Sequence, residues 1–210
     1  MRRTTTMYVM RRADEADAPT LARLVRVRAQ WMSWRGLPDG YDLEKPARAE
    51  AIARQATDGR TPVWLLADEN NGRVLGFTSL YPETPLWGWT EAEQDEPALF
   101  MATTFTDPDR SSERPGALMA WWALGYAART GRVWVRRGCT HETLMRYYRD
   151  VQGFDVIHSV YLRGALTYLM ARKAEELPRL PVRTAARSAT VARNRYRWPL
   201  NPAVPITYST

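Results

Sequence analysis

The sequence is nearly without cysteine: Cys139 stands alone in 210 residues. A single thiol closes no internal disulfide, and Cys139 reads as a small buried residue rather than a nucleophile. Histidine is almost as scarce, with only His141 and His158. A zinc site would have to be made from that pair and carboxylates, and no metal is expected. Cys139 and His141 lie two apart, a spacing that does not by itself build a nucleophile–base pair. No apolar run reaches the roughly 18 residues that a membrane-spanning helix needs. Met1 to Met10 holds two arginines with no apolar stretch behind them, so it is not read as a secretory signal. These absences lead to the expectation of a cytoplasmic protein without a membrane partner.

What is present suits a folded domain. Apolar residues make up 45% and charged residues 25%, enough for a core and ordinary for a soluble protein. The net charge of +7 is uneven: Lys173 to Thr210 holds seven Lys/Arg against two Glu, while the remainder is close to neutral. That stretch, scattered with Pro178, Pro181, Pro199, Pro202 and Pro205, reads as an extended tail that wraps the domain or stays disordered. The expected organisation is one domain over residues 1–172 and a basic Pro/Arg-rich tail over 173–210. Basic charge supplies salt-sensitive affinity for nucleic acid. Here it belongs to a tail and not to a domain face, which disfavours that role.

Tyr8 to Arg12 reads as a strand. Asp14 or Asp17 then caps a helix with Pro19 in its first turn, and Arg35 to Gly40 stops it. A second helix is expected from near Glu44 to Thr57, ended by Asp58-Gly59. Pro62 to Asp68 and Arg73 to Leu80 alternate as a strand pair around Asn70-Asn71-Gly72, a turn that tolerates positive φ. Ala98 to Thr106 is nearly all apolar or β-branched, as a central strand should be. Asp107-Pro108 breaks it, and a polar loop leads into a helix from Pro115 to Thr130-Gly131. Val133 to Arg136 is a strand, Glu142 to Asp150 a helix, and Phe154 to Val160 with Ala165 to Met170 a closing strand pair.

The residues that carry chemistry lie in two stretches. One is Thr104 to Leu118, a strand end, a polar loop and a helix start. Such a helix start points free backbone N–H groups and a positive dipole end at an anion. The other is His141 to Phe154, a helix with adjacent tyrosines that ends at Gly153-Phe154. Together with the element order over roughly Tyr8 to Arg172, these stretches resemble the GNAT superfamily of N-acetyltransferases. The resemblance implies an α/β fold: a mixed, mostly antiparallel central sheet flanked by helices. It also implies a splay between two central parallel strands, here Ala98 to Thr106 and Val133 to Arg136. It further implies direct transfer of an acyl group, acetyl or another, from coenzyme A to a primary amine, and the possibility of a homodimer.

In the family an Arg/Gln-x-x-Gly-x-Gly/Ala loop holds the pyrophosphate. Counted back from the helix, Gly116 matches the last glycine, Ser111 falls where the family has Arg or Gln, and Arg114 replaces the first glycine. Arg110 lies one residue before the expected position. Arg114 adds a Cβ but also a cation able to pair with phosphate. Arg110, Ser111, Ser112, Arg114, Gly116 and Ala117 are therefore the expected phosphate-side residues for acetyl-CoA or another acyl-CoA. The resemblance gives the backbone of Thr104, Phe105 and Thr106 the pantetheine arm. It gives Tyr148, or else Tyr147, the proton that the departing thiolate collects.

The acceptor side is less defined. The stretch from Pro85 to Glu96 sets Trp87 and Trp89 among carboxylates, a composition that suits a cationic amine and equally an anchored surface loop. Trp31, near the end of the first helix, is a further lining candidate or a packing residue. Glu83 or Glu96 is the candidate general base, directly or through water, and no spacing picks between them. The expected acceptor is a small-molecule or peptide amine. The alternative is a GNAT-like fold that binds an acyl-CoA or other ligand without turnover.

Overall fold

The computed structural model describes residues 6–36, 46–57, 62–162 and 164–185. The expected helix stop at 37–40, the helix start near Glu44, Asp58-Gly59 and the tail beyond 185 lie outside the described residues. The strands are β1 (Tyr8–Arg12), β2 (Val63–Asp68), β3 (Val74–Tyr81), β4 (Ala98–Thr106), β5 (Trp134–Cys139), β6 (Asp155–Leu162), β7 (Ala165–Lys173) and β8 (Val182–Thr184). The helices are α1 (Ala18–Trp34), α2 (Pro46–Thr57), α3 (Glu91–Asp95), α4 (Pro115–Arg129) and α5 (Glu142–Asp150). The strands form one open mixed sheet in the order β6-β7-β5-β4-β3-β2-β1-β8. No helix among the described residues is long and apolar enough to cross a membrane.

The chain divides into two compact units. The first is built from residues up to Thr78, with Phe105–Gly116 and the segment from Pro181. Asp14 opens it with a capping box over a short 3-10 turn, Glu15–Asp17. Asp17 takes both nitrogens of Arg11, at 2.7 and 2.6 Å. α1 follows with Pro near its start, where a missing N–H costs nothing. Its buried positions, Leu21, Ala22, Leu24, Val25, Arg28, Ala29 and Met32, fall on one stripe of a 3.6-residue period. That stripe packs on Ala49, Ile52 and Ala53 of α2 and on Val63, Leu65, Val74, Phe77 and Phe105 of the sheet. Phe77 and Phe105 stack at 5.2 Å between centroids. β2 is buried at every position, the mark of a strand covered on both faces. β1 pairs antiparallel with β2 and parallel with β8, so Val182–Thr184, within the stretch read as tail, joins the sheet.

The second unit holds Ser79–Thr104 and Ala117–Leu180. α4 is buried nearly all round, at Ala117, Leu118, Met119, Ala120, Trp122, Ala123, Leu124 and Ala127, as its apolar sequence requires. β5 runs on to Cys139, three residues past its expected end. It pairs antiparallel with β7 along its length, and β7 pairs antiparallel with β6 through an irregularity between Val156 and His158. β4 and β5 are parallel, in register from Ala98–Trp134 to Met101–Arg137. Ala102, Thr103 and Thr104 lie beyond that register. Ala102 and Thr103 are half-exposed in an otherwise buried strand, so the two parallel strands part where their pairing stops.

Candidate active site

In the first unit the candidate anion loop starts from a fixed end. Asp107 is buried, donates its N–H to the Leu75 carbonyl at 2.7 Å, and accepts from Arg73 at 2.9 Å and from the Asp109 N–H at 3.1 Å. The sequence marked Asp107 only as a strand breaker. A 3-10 turn, Pro108–Glu113, follows and kinks at Arg110 (φ −112°, ψ 22°). Arg114 closes the turn at φ 53°, ψ 51°, its N–H on the Ser111 carbonyl. It is the one non-glycine with positive φ among the described residues. The backbone thus keeps the left-handed conformation natural to glycine at the position where the resemblance places one. Pro115 then begins α4, whose first turn carries no acidic side chain. Ser111, Ser112 and Arg114 are exposed, Gly116 is half-buried and Ala117 is buried.

Arg110 does not stand free in this loop. Its Nε donates to Glu113 Oε1, and Glu113 Oε2 accepts from the buried Tyr8 hydroxyl at 2.8 Å. The Arg110 hydrogen bond outweighs burial and holds the Glu113 carboxyl below the usual carboxylate range, with Tyr8 helping. Burial, reinforced by Glu113, pushes the Tyr8 phenol up to about 12. Sequence reading missed Glu113 and Tyr8. The three-residue step from Arg110 to Glu113 was a visible signal, whereas Tyr8 lies 105 positions away. Thr104 and Phe105 are buried at the end of β4 and Thr106 is half-buried. Trp31 is not an open platform: the guanidinium groups of Arg28 and Arg35 sit 4.2 and 4.4 Å from its ring centroid.

In the second unit two adjacent arginines of β5 point to opposite faces, as strand alternation demands. Both are 2% exposed. Arg136 donates to Thr84 Oγ1 at 2.7 Å, to the Glu93 carbonyl and to Glu96, and lies 4.8 Å from the Trp89 ring centroid. The cation that meets Trp89 and Glu96 is therefore this chain's own. Glu96 is an ion-pair partner, and Trp89 is buried at 5% exposure. Trp87 packs edge-on against Phe100 at 5.7 Å. The segment is held again by His158, whose Nε2 lies 2.9 Å from Glu93 and whose ring meets Trp89 edge-on. Burial raises the Glu93 carboxyl pKa, but hydrogen bonds from Thr90 and His158 bring it below its ordinary value.

On the other face, Arg137 Nη1 donates to Gln152 Oε1 at 2.6 Å. Its guanidinium lies 3.2 Å from the Tyr148 ring centroid and 5.5 Å from that of Phe154. Arg137 Nε has no hydrogen-bond acceptor among the described residues. Burial lowers the Arg137 pKa, opposed by Tyr148, Cys139 and Tyr147. Tyr148 is 5% exposed, while Tyr147 is half-buried, with ring centroids 6.1 Å apart. α5 presents Leu144, Met145 and Tyr148 as its buried stripe. The turn after it is locked by Gly153 at φ +74°. A side chain there would also displace the guanidinium of Arg172, which lies against this position.

This set of features defines a class by its fold: a mixed open sheet, parallel central strands that part, and a left-handed loop feeding a helix. No protein-family model matches the sequence, and no curated protein matches it. Solved structures do. A GNAT-family acetyltransferase from Listeria monocytogenes 4b F2365 superposes with a TM-score of 0.61 at 19% identity, over 79% of this chain and 94% of that one. The PaiA N-acetyltransferase of Thermoplasma acidophilum, solved in complex with coenzyme A, gives 0.53 at 12% identity, over 79% and 98%. An acetyltransferase assigned to the GNAT family from Desulfovibrio desulfuricans gives 0.56 at 12%, over 80% and 99%. The chain therefore has the GNAT acetyltransferase fold, as the sequence resemblance implied.

Proposed function

We propose that this chain is an acyl-CoA-dependent N-acyltransferase that delivers an acyl group, acetyl in the first instance, to a primary amine of a small-molecule or peptide acceptor. The observation that carries the reading is Arg114. A side chain held at φ 53° stores roughly 1–2 kcal/mol of strain. The loop keeps that glycine-like shape, and it feeds α4 at its acid-free N-terminal turn. Backbone N–H groups of Ser111, Ser112, Gly116 and Ala117, with the Arg114 cation, fit a pyrophosphate. The parting of β4 from β5 after Met101 leaves the backbone of Thr104, Phe105 and Thr106 to hold the pantetheine arm. Acyl-CoA, when bound, would supply the acyl group as a thioester open to attack by a neutral amine. Tyr148, or Tyr147 in its place, gives a proton to the leaving sulfur. Glu96, tied to Arg136, is assigned to holding the segment 82–97 rather than to general base catalysis.

One observation favours a second reading, ligand binding without turnover: Glu113 already occupies Arg110 with a carboxylate. Calorimetric titration with acetyl-CoA, with Arg114→Glu and Gly116→Trp alongside, tests the first reading. Micromolar binding weakened at least about tenfold by Arg114→Glu, a charge reversal beside phosphate, is the expected result. Thioester turnover with some amine in a screen excludes the second reading. Failure of the unmodified chain to bind acetyl-CoA or longer acyl-CoAs overturns the first reading and confines the second to a ligand other than an acyl-CoA.

A further inference from the structure

A guanidinium sealed inside a protein is expensive unless a carboxylate neutralises it. Arg137 is 2% exposed and forms no ion pair among the described residues. Gln152, α5 and β5 surround it with groups that are neutral in the resting protein: the Gln152 amide, the phenols of Tyr148 and Tyr147, the Phe154 ring and the Cys139 thiol. Burial pushes that thiol up to about 12, so it supplies no charge near neutral pH. The ring of Tyr148, at 3.2 Å, is the closest of the aromatic faces. A fixed cation with no resting counter-charge is arranged for an anion that forms transiently.

We infer that Arg137 is a positioning residue that makes Tyr148 a better acid, its guanidinium compensating the phenolate left when Tyr148 gives up its proton. This rests on the acyl-transfer reading above. In the step, the Tyr148 O–H bond breaks and an S–H bond forms on the departing thiolate. The negative charge moves from sulfur to the phenolate beside Arg137, and solvent returns a proton afterwards. Cation–π attraction also fixes the ring's orientation, and Gln152 fixes the guanidinium.

The test has a readout that needs no turnover. Tyrosinate absorbance of the free protein is titrated with pH for the unmodified chain, Tyr148→Phe, Arg137→Met and Arg137→Lys. The difference between the unmodified chain and Tyr148→Phe isolates one phenol. That phenol should titrate about one pH unit or more higher in Arg137→Met, the scale set by an opposite charge at this range, and move less in Arg137→Lys. The alkaline limb of the kcat profile should shift by the same amount, with KM for acetyl-CoA little changed. Arg137→Gln, which keeps a polar group there, serves if the methionine variant does not fold. An unmoved phenol overturns the inference even if turnover is normal. A Tyr148→Phe variant with full kcat overturns it as well. A shifted phenol in a chain that turns over no amine removes acyl transfer and leaves the Arg137–Tyr148 coupling standing.

Discussion

Arg136 and Arg137 are chain neighbours with the same burial and opposite fates. Arg136 is paired: a hydroxyl, a carbonyl, a carboxylate and an indole face all meet it, although its Nε, like that of Arg137, has no acceptor among the described residues. Arg137 meets one amide oxygen, rings and a thiol, with no carboxylate. The anion loop repeats the contrast, with Arg110 bound to Glu113 and Arg114 exposed and without an ion-pair partner among the described residues. In each pair one cation builds structure, and the other keeps its charge uncommitted. The difference teaches that partners, more than burial, separate a structural arginine from one kept for an anion.

The largest effect should come from unmaking the ion-paired case. Glu96→Ala strands a buried Arg136 and should cost about 2 kcal/mol, less than the roughly 3–5 kcal/mol of a fully buried pair because the Glu96 side chain is 42% exposed. Arg137→Met should stay within about 1 kcal/mol of the parent or gain stability. Urea denaturation of the two variants checks the contrast; equal losses would erase it. Next comes Arg114→Gly. It relieves the left-handed strain but adds freedom to the unfolded chain, for a net gain of about 0.5 kcal/mol. The same variant should weaken acetyl-CoA binding about threefold or more through the lost ion pair, so stability and affinity move in opposite directions. Weaker binding without the stability gain would mean that strain is not what glycine relieves there.

The smallest effect is in the pH dependence of the Tyr8–Glu113–Arg110 group. The Glu113 carboxyl is depressed in the fold, so its stabilisation is present above the ordinary 4.5 and lost as pH falls through the folded value. The Tyr8 phenol is raised, so its contribution is full below 10.0 and lost as pH rises toward about 12. Glu113→Gln should flatten the acid side of a melting-temperature profile, and Tyr8→Phe the alkaline side. Unchanged profiles would break the assignment of Arg110 as the committed member of its pair.

The fold was legible because its signals are local. Ala98–Thr106 and Glu142–Asp150 stand where composition and period placed them, Asp14 caps the 3-10 turn that leads into α1, and Pro19 lies in the first turn of α1. The site was legible only in outline. The loop could be located, but the left-handed turn at Arg114 was hidden by a residue type that rarely adopts it. Trp89 and Glu96 could be read as an amine site or as an anchored loop because a partner 40 positions from Glu96, Arg136, was out of local view. Two consecutive arginines in a strand destined for the middle of a sheet were the signal for both clusters. Strand alternation sends them to opposite faces, and charge in such a strand calls for partners on each.

Cys139 follows from the same strand. Its thiol is wholly buried beside Arg137 and hydrogen-bonded strand pairing holds its backbone against Tyr168. With its acidity suppressed to about 12, it should ignore alkylating reagents while the sheet is closed. The chain thus carries its own clock: the rate at which a thiol-specific reagent labels this single thiol reports how often β5 and β7 come apart, and so the free energy of local opening beneath the tyrosine helix.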